Sequence, residues 1–242
     1  MAFRNLDAIS GGMASTRTSD DRAPPLSQLV REAGALMALR WKSLLPQQAR
    51  AEGAGQGRPV MVIPGFLAGD YSTVILRRSL EAAGYRAYGW GLGFNLGARS
   101  DLLERIEAQL DRAHRCGPVS LVGWSLGGLY ARELAKRQPD KVARVITLGS
   151  PFSGDVRANN AWRLYEMLND HRVDSPPIEA RVSEKPPVPT IAFWSRRDGI
   201  VAPASARGEP HECDRAVELD CSHMGFMSEA CALQAVLDAL AE

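Results

Sequence analysis

Three observations predict an α/β fold with a mostly parallel central sheet flanked by helices. Apolar runs of strand length alternate with segments of helical periodicity from residue 58 to the end of the chain. The middle of the chain, Val119 to Tyr130, reads as an apolar strand, a tight turn through Gly123-Trp-Ser-Leu-Gly127, and a helix start. Finally, 242 residues with an ordinary apolar fraction suit one globular domain with a sizeable core.

The elements follow in order. Residues 1–25 are polar, rich in Gly, Ser, Thr and Asp, and read as a disordered tail ending in Ala23-Pro24-Pro25. A helix is predicted over about 26–45 within an N-terminal unit of 26–50. Leu26, Val30, Ala33, Met37, Trp41 and Leu44 recur at helical spacing, and Arg31, Glu32, Arg40 and Lys42 form the polar side. This helix is expected to pack on the flank of the domain; a peripheral membrane contact is the alternative. Residues 51–57 read as a flexible linker, and the main domain as 58–242. Within it a strand runs Pro59 to Ile63, a helix about 72–83, a strand Tyr85 to Trp90, a glycine-rich loop 91–97 and a helix about 100–115. The glycine loop lacks both the G-x-G-x-x-G spacing and an acidic partner, so a dinucleotide site is rejected. After the central strand–turn–helix come a strand Val142 to Leu148 and a stretch, 152–187, that breaks the alternation with a helix and four prolines. That stretch is read as a cap over the strand ends. Strands Val188 to Trp194 and 215–219 and a helix about 228–240 complete the chain.

Composition excludes several classes of function. The net charge is +1 and no Lys/Arg run stands out, which argues against nucleic acid. Cys116, Cys213, Cys221 and Cys231 lack paired zinc spacing, so no metal is expected; reduced thiols at Cys213 and Cys221 are favoured over a bridge between them. The N-terminus has no apolar signal-peptide core, and no apolar run reaches the ~18 residues of a spanning helix. A soluble, cytoplasmic protein is expected.

The central turn carries chemistry. A G-x-S-x-G turn between strand and helix forces its serine into a strained conformation and exposes the hydroxyl above a helix N-terminus. Ser125 is thus the candidate nucleophile, with Ser150 and Ser153 as the nearest rivals. A serine needs a base, and the base an orienting acid. In parallel sheets such groups sit in loops beyond the strand C-termini. Asp198 follows the strand ending at Trp194, and His223 follows the last strand, giving the order Ser125, Asp198, His223. His114, His171 and His211 are placed worse, and Asp155 is a weaker rival acid. An oxyanion needs two N–H donors: Leu126 follows the nucleophile, and Phe66 lies in the loop after the first core strand.

These segments resemble the α/β-hydrolase superfamily, and within it small bacterial lipases and esterases. The matching residues are Ile63-Pro-Gly-Phe66, Gly123-Trp-Ser-Leu-Gly127, Gly149-Ser-Pro151, Arg197-Asp-Gly-Ile-Val201 and Ser222-His-Met-Gly225. Such lipases often carry His-Gly where this chain has Pro64-Gly65. The resemblance implies cleavage of carboxylic esters through an acyl-enzyme on a Ser-His-Asp triad, with no cofactor. An acyltransferase on the same residues, a peptidase or lactonase, and a non-catalytic binding protein of this fold are the alternatives. Trp124, Leu67, Phe152 and Trp162 are expected to line a pocket for an apolar acyl or alcohol group, with Phe152 and Trp162 overhanging Ser125 from the cap.

Overall fold

The structure is a computed structural model that describes residues 23–25, 27–32, 55–154, 159–160, 166 and 181–242. Six strands form its sheet: β1 (Pro59–Ile63), β2 (Arg86–Gly89), β3 (Val119–Trp124), β4 (Val142–Leu148), β5 (Thr190–Trp194) and β6 (Arg215–Glu218). Their order is β2-β1-β3-β4-β5-β6, and every adjacent pair is parallel. The helices are α1 (Val74–Ala82), α2 (Leu102–His114), α3 (Leu126–Arg137), the short α4 (Pro203–Arg207) and α5 (Ala230–Ala241).

Side chains along a strand alternate between the two faces of the sheet. Val60 and Val62 join Ile75, Leu76 and Leu80 of α1 and Leu233, Val236 and Leu237 of α5 in one apolar layer. Met61 and Ile63 join Ile106 and Leu110 of α2 and Tyr130 and Leu134 of α3 in the other. Both faces are covered, so β1 is buried throughout, as a parallel-sheet strand must be. The chain leaves β1 toward β2 on one side and returns to β3 on the other. In a parallel sheet, the carboxyl ends of strands at such a reversal of order are where a site is expected.

The departures from expectation are local. β5 starts at Thr190 because Pro187 and Pro189 cannot donate to a ladder. The last helix starts at Ala230, because Met224–Met227 first forms a 3-10 turn and Glu229 is extended. The expected linker is a fixed turn in its described part. There Gly55 N–H donates to Ala83 C=O and Gly57 N–H to Gly84 C=O, both at 2.8 Å. In the cap, residues 152–154, 159–160, 166 and 181–187 are described; Trp162 lies outside the described residues.

The N-terminal segment departs most. Pro24, expected in a disordered tail, is buried, and its carbonyl accepts a hydrogen bond from Asn160 Nδ2 at 3.0 Å. Residues 27–32 are helical, but their polarity is inverted: Val30 is 73% exposed and Glu32 only 4%. An apolar-face argument fails here because the Glu32 carboxylate finds backbone donors inside the protein, which offset the cost of burying its charge.

Candidate active site

The site grows from the turn between β3 and α3. Ser125 has φ 53° and ψ −124°, a conformation that L-residues rarely adopt. Two glycines make room for it. A Cβ on Gly123 would lie 2.4 Å from Gly128 Cα in α3, and one on Gly127 would lie 2.3 Å from the Ile63 carbonyl oxygen of β1. The turn is anchored by Ser125 N–H donating to Leu148 C=O at the end of β4, 2.8 Å. Ser125 keeps part of its surface accessible, whereas Ser150 is fully buried beneath α3 and Ser153 is buried as well. Leu126 opens α3, and the N–H groups of a first helical turn have no partner within the helix.

The loop after β1 runs beside the serine: a Cβ on Gly65 would stand 3.0 Å from Ser125 Cβ. This loop is held by Asn95, a fully buried residue of the glycine-rich segment. Asn95 Nδ2 donates to Pro64 C=O at 2.8 Å, and Asn95 Oδ1 accepts from Gly97 N–H at 3.2 Å. Two main-chain bonds, Leu67 N–H to Asn95 C=O at 2.7 Å and Asn95 N–H to Ala68 C=O at 2.8 Å, complete the attachment. Phe66, half-buried, and Leu67, 41% exposed with φ 58°, therefore lie on a fixed loop at the rim.

Asp198 and His223 meet in the loops after β5 and β6. His223 Nδ1 and Asp198 Oδ2 are 2.7 Å apart, and both side chains are 2% exposed. The other oxygen of Asp198 accepts from Ile200 and Val201 N–H at 2.8 Å each, which fixes the carboxylate. Burial by itself would lower the His223 pKa; the charge and hydrogen bond of Asp198, with Glu32 behind it, outweigh burial and leave the pKa raised. Ser195 Oγ donates to Cys221 C=O at 2.6 Å and ties the two loops together. Among the described residues no hydrogen bond joins Ser125 Oγ to His223; such bonds commonly tighten only with substrate in place. Asp198 approaches the serine turn through Gly149, where an added Cβ would lie 2.8 Å from Asp198 Oδ2.

Two residues expected to line the pocket are placed elsewhere. Trp124 shares its face of β3 with Val122, so its indole enters the α1/α5 layer. There Nε1 donates to His223 C=O at 3.1 Å and the rings stand 5.5 Å apart, a support for the histidine loop rather than a substrate wall. Phe152 does not overhang Ser125: the chain turns at Gly149, φ 54°, and the Phe152 ring is buried against the Arg132 guanidinium, 4.2 Å away, beside Ala192 and Cys213. Trp162, His171 and Asp155 lie outside the described residues. His211 is exposed in the loop before β6, at the opposite rim. Cys213 and Cys221 are separate buried thiols. Among the described residues no cluster of His, Cys, Asp and Glu is arranged to hold a metal ion, and no described helix is long and apolar enough to cross a membrane.

Sequence reasoning missed two residues that hold this site, Asn95 and Glu32. Asn95 sits in the segment weighed and rejected as a nucleotide loop; its clue was a lone polar residue between Phe94 and Leu96. Glu32 left no clue, because it reads as one of several charges on a helix.

A family model described as alpha/beta hydrolase fold matches residues 58–175. The chain has the α/β-hydrolase fold. It is similar to the structure reported for LipS and LipT, two metagenome-derived lipolytic enzymes, with TM-score 0.58 and 17% identity, covering 80% of this chain and 99% of that one. Among curated relatives it is 45% identical over 60 residues to the biotin biosynthesis bifunctional protein BioHC of Teredinibacter turnerae, covering 25% of this chain and 10% of the relative. It is also 51% identical over 39 residues to a pimeloyl-[acyl-carrier protein] methyl ester esterase of Aromatoleum aromaticum, 16% of either chain. The chain thus spans a small fraction of the curated relatives it matches.

Proposed function

We propose that the protein is a serine hydrolase that cleaves carboxylic esters through an acyl-enzyme. Ser125 attacks the ester carbonyl carbon while His223 takes the hydroxyl proton. Asp198 holds the imidazole by Nδ1, so that Nε2 faces the serine, and stabilises the imidazolium that forms. The N–H groups of Leu126 and Phe66 receive the oxyanion. Collapse of the tetrahedral intermediate expels the alcohol, which takes the proton back from His223. Water, activated by the same histidine, then releases the acid and restores Ser125.

The observation that carries this reading is the buried Asp198–His223 pair, 2.7 Å apart, on the same rim as a serine strained at φ 53°. A carboxylate and an imidazole removed from water together, beside a strained serine over a helix N-terminus, suit activation of a hydroxyl better than a structural role. The esterase and lipolytic names among the similar proteins agree with it. An apolar acyl group is favoured because Leu67 and Phe66 flank the serine turn on the rim. The test is hydrolysis of p-nitrophenyl esters from acetate to long acyl chains by the wild type, Ser125→Ala and His223→Ala. The reading requires turnover by the wild type and loss of it in both variants. Undiminished turnover in Ser125→Ala would refute it. Release of p-nitrophenol that depends on an added alcohol or amine would favour acyl transfer instead.

A further inference from the structure

The Glu32 carboxylate lies where the two loops of the Asp198–His223 pair come together. Oε1 accepts from Gly199 N–H at 3.0 Å and from His223 N–H at 2.7 Å, and Oε2 accepts from Met224 N–H at 3.0 Å. One buried carboxylate thus bonds the residue after the acid, the histidine itself and the residue after the histidine. The packing is close: a Cβ on Gly199 would lie 2.6 Å from Gln28 C=O and 2.9 Å from Glu32 Cγ. Asn160 Nδ2 bridges the same region, donating to Gly199 C=O at 2.8 Å and to Pro24 C=O at 3.0 Å. Pro24, Gln28 and Glu32 belong to a segment that precedes the stretch matching the family model.

We propose that Glu32 is a positioning residue of the active site, clamping the loop of Asp198 to the loop of His223 so that the pair is held in register with Ser125. The inference rests on the ester-hydrolase reading of Ser125, Asp198 and His223. Without the clamp, nothing else described bonds both Gly199 and the His223 main chain. Bonds to a charged acceptor are about twice as strong as neutral ones, so three converging on one carboxylate make a stiff joint. A second consequence is electrostatic: a negative Glu32 favours the imidazolium of His223, as Asp198 does. The other ionisable groups facing this region are Asp198, Cys221, Cys231, Glu229 just before α5 through Ser222, and the Arg197–Asp220 pair at the surface. A substitution at Glu32 leaves all of them in place.

The test uses the full chain with Glu32→Gln, Glu32→Ala and Glu32→Asp, comparing kcat, KM and the pH profile of kcat/KM on one p-nitrophenyl ester, with thermal unfolding as control. Glu32→Gln is expected to lower kcat by about 10–100-fold, the cost of misplacing reacting groups by a fraction of an ångström to an ångström, with KM moving far less. Its acid limb should move to lower pH, because a charge that favours the imidazolium is gone. Glu32→Asp keeps that charge and should keep the acid limb while losing kcat through its shorter reach. Where Glu32→Ala does not fold, the near-isosteric Gln variant carries the test. Wild-type kcat in Glu32→Gln, or a loss of kcat that follows melting temperature with an unmoved acid limb, would overturn the proposal. Persistent turnover in Ser125→Ala would overturn the ester-hydrolase reading instead, so the two failures are distinct.

Discussion

Replacing Asn95 by alanine tests whether the loop after β1 owes its position to a single buried amide. The substitution removes the bond from Nδ2 to Pro64 C=O, 2.8 Å, and the bond from Gly97 N–H to Oδ1, 3.2 Å, and leaves the main-chain bonds of residue 95 intact. Asn95 is fully buried, so water does not readily replace the lost amide. Each net hydrogen bond is worth about 1 kcal/mol and each stranded buried group costs about 1–3 kcal/mol, so the two together destabilise by roughly 2–5 kcal/mol. For a domain of this size that lowers the melting temperature by on the order of 10 °C. The same loop carries Phe66 N–H, and loss of one oxyanion donor costs about 100-fold or more in kcat. A loosened rather than absent donor is expected to cost about 10-fold, with KM changing less. Thermal unfolding followed by circular dichroism and kcat on one p-nitrophenyl ester measure both effects. A melting temperature within about 1 °C of wild type, together with unchanged kcat, would refute the assignment of Asn95 as the anchor of this loop.

Other predictions follow from the same geometry. Gly127→Ala drives a Cβ to 2.3 Å from the backbone oxygen of Ile63, so the elbow must open, and the variant should lose activity and melt at lower temperature. Arg132→Met removes four bonds, to the carbonyls of Val182, Ser183, Glu184 and Glu212, of which that of Glu212 is left buried without this donor, and should destabilise by roughly 2–4 kcal/mol in urea unfolding. Because His223 must be neutral to accept a proton and its pKa is raised, kcat/KM should climb with pH through an apparent pKa above the usual imidazole value of about 6.5. A limb below that value would contradict the influence assigned to Asp198. His211→Gln, in an exposed loop at the far rim, should leave turnover within a few-fold of wild type in the same assay.

Much of this architecture is legible in the sequence because it is written locally. The strand at Pro59–Ile63 is a continuous apolar run, and Leu103, Ile106 and Leu110 mark the buried face of α2 at helical spacing. Gly123 and Gly127 are legible for a steric reason: no side chain fits between α3 and the strands at those points. Asp198 and His223 could be chosen because a parallel sheet gathers its C-terminal loops on one rim. What was not legible depends on partners far away in sequence. Glu32 meets His223 across 191 residues, and among the described residues it bonds only backbone N–H groups, which leave no residue pattern to recognise. Its burial also inverts the helix polarity that Val30 suggested. Phe152 was misplaced because the direction of the chain after β4 is set by Gly149 and by the buried cation of Arg132, neither of which periodicity reveals.

The central claim is that Ser125 is an activated nucleophile served by His223. The most direct measurement is labelling with a fluorophosphonate, followed by intact mass and peptide mapping, for the wild type, Ser125→Ala and His223→Ala. The account predicts one adduct per chain on Ser125 in the wild type, none in Ser125→Ala, and labelling slowed by orders of magnitude in His223→Ala, since the two residues act as one unit. An adduct on Ser150 or Ser153, or equal labelling of the wild type and His223→Ala, would contradict it.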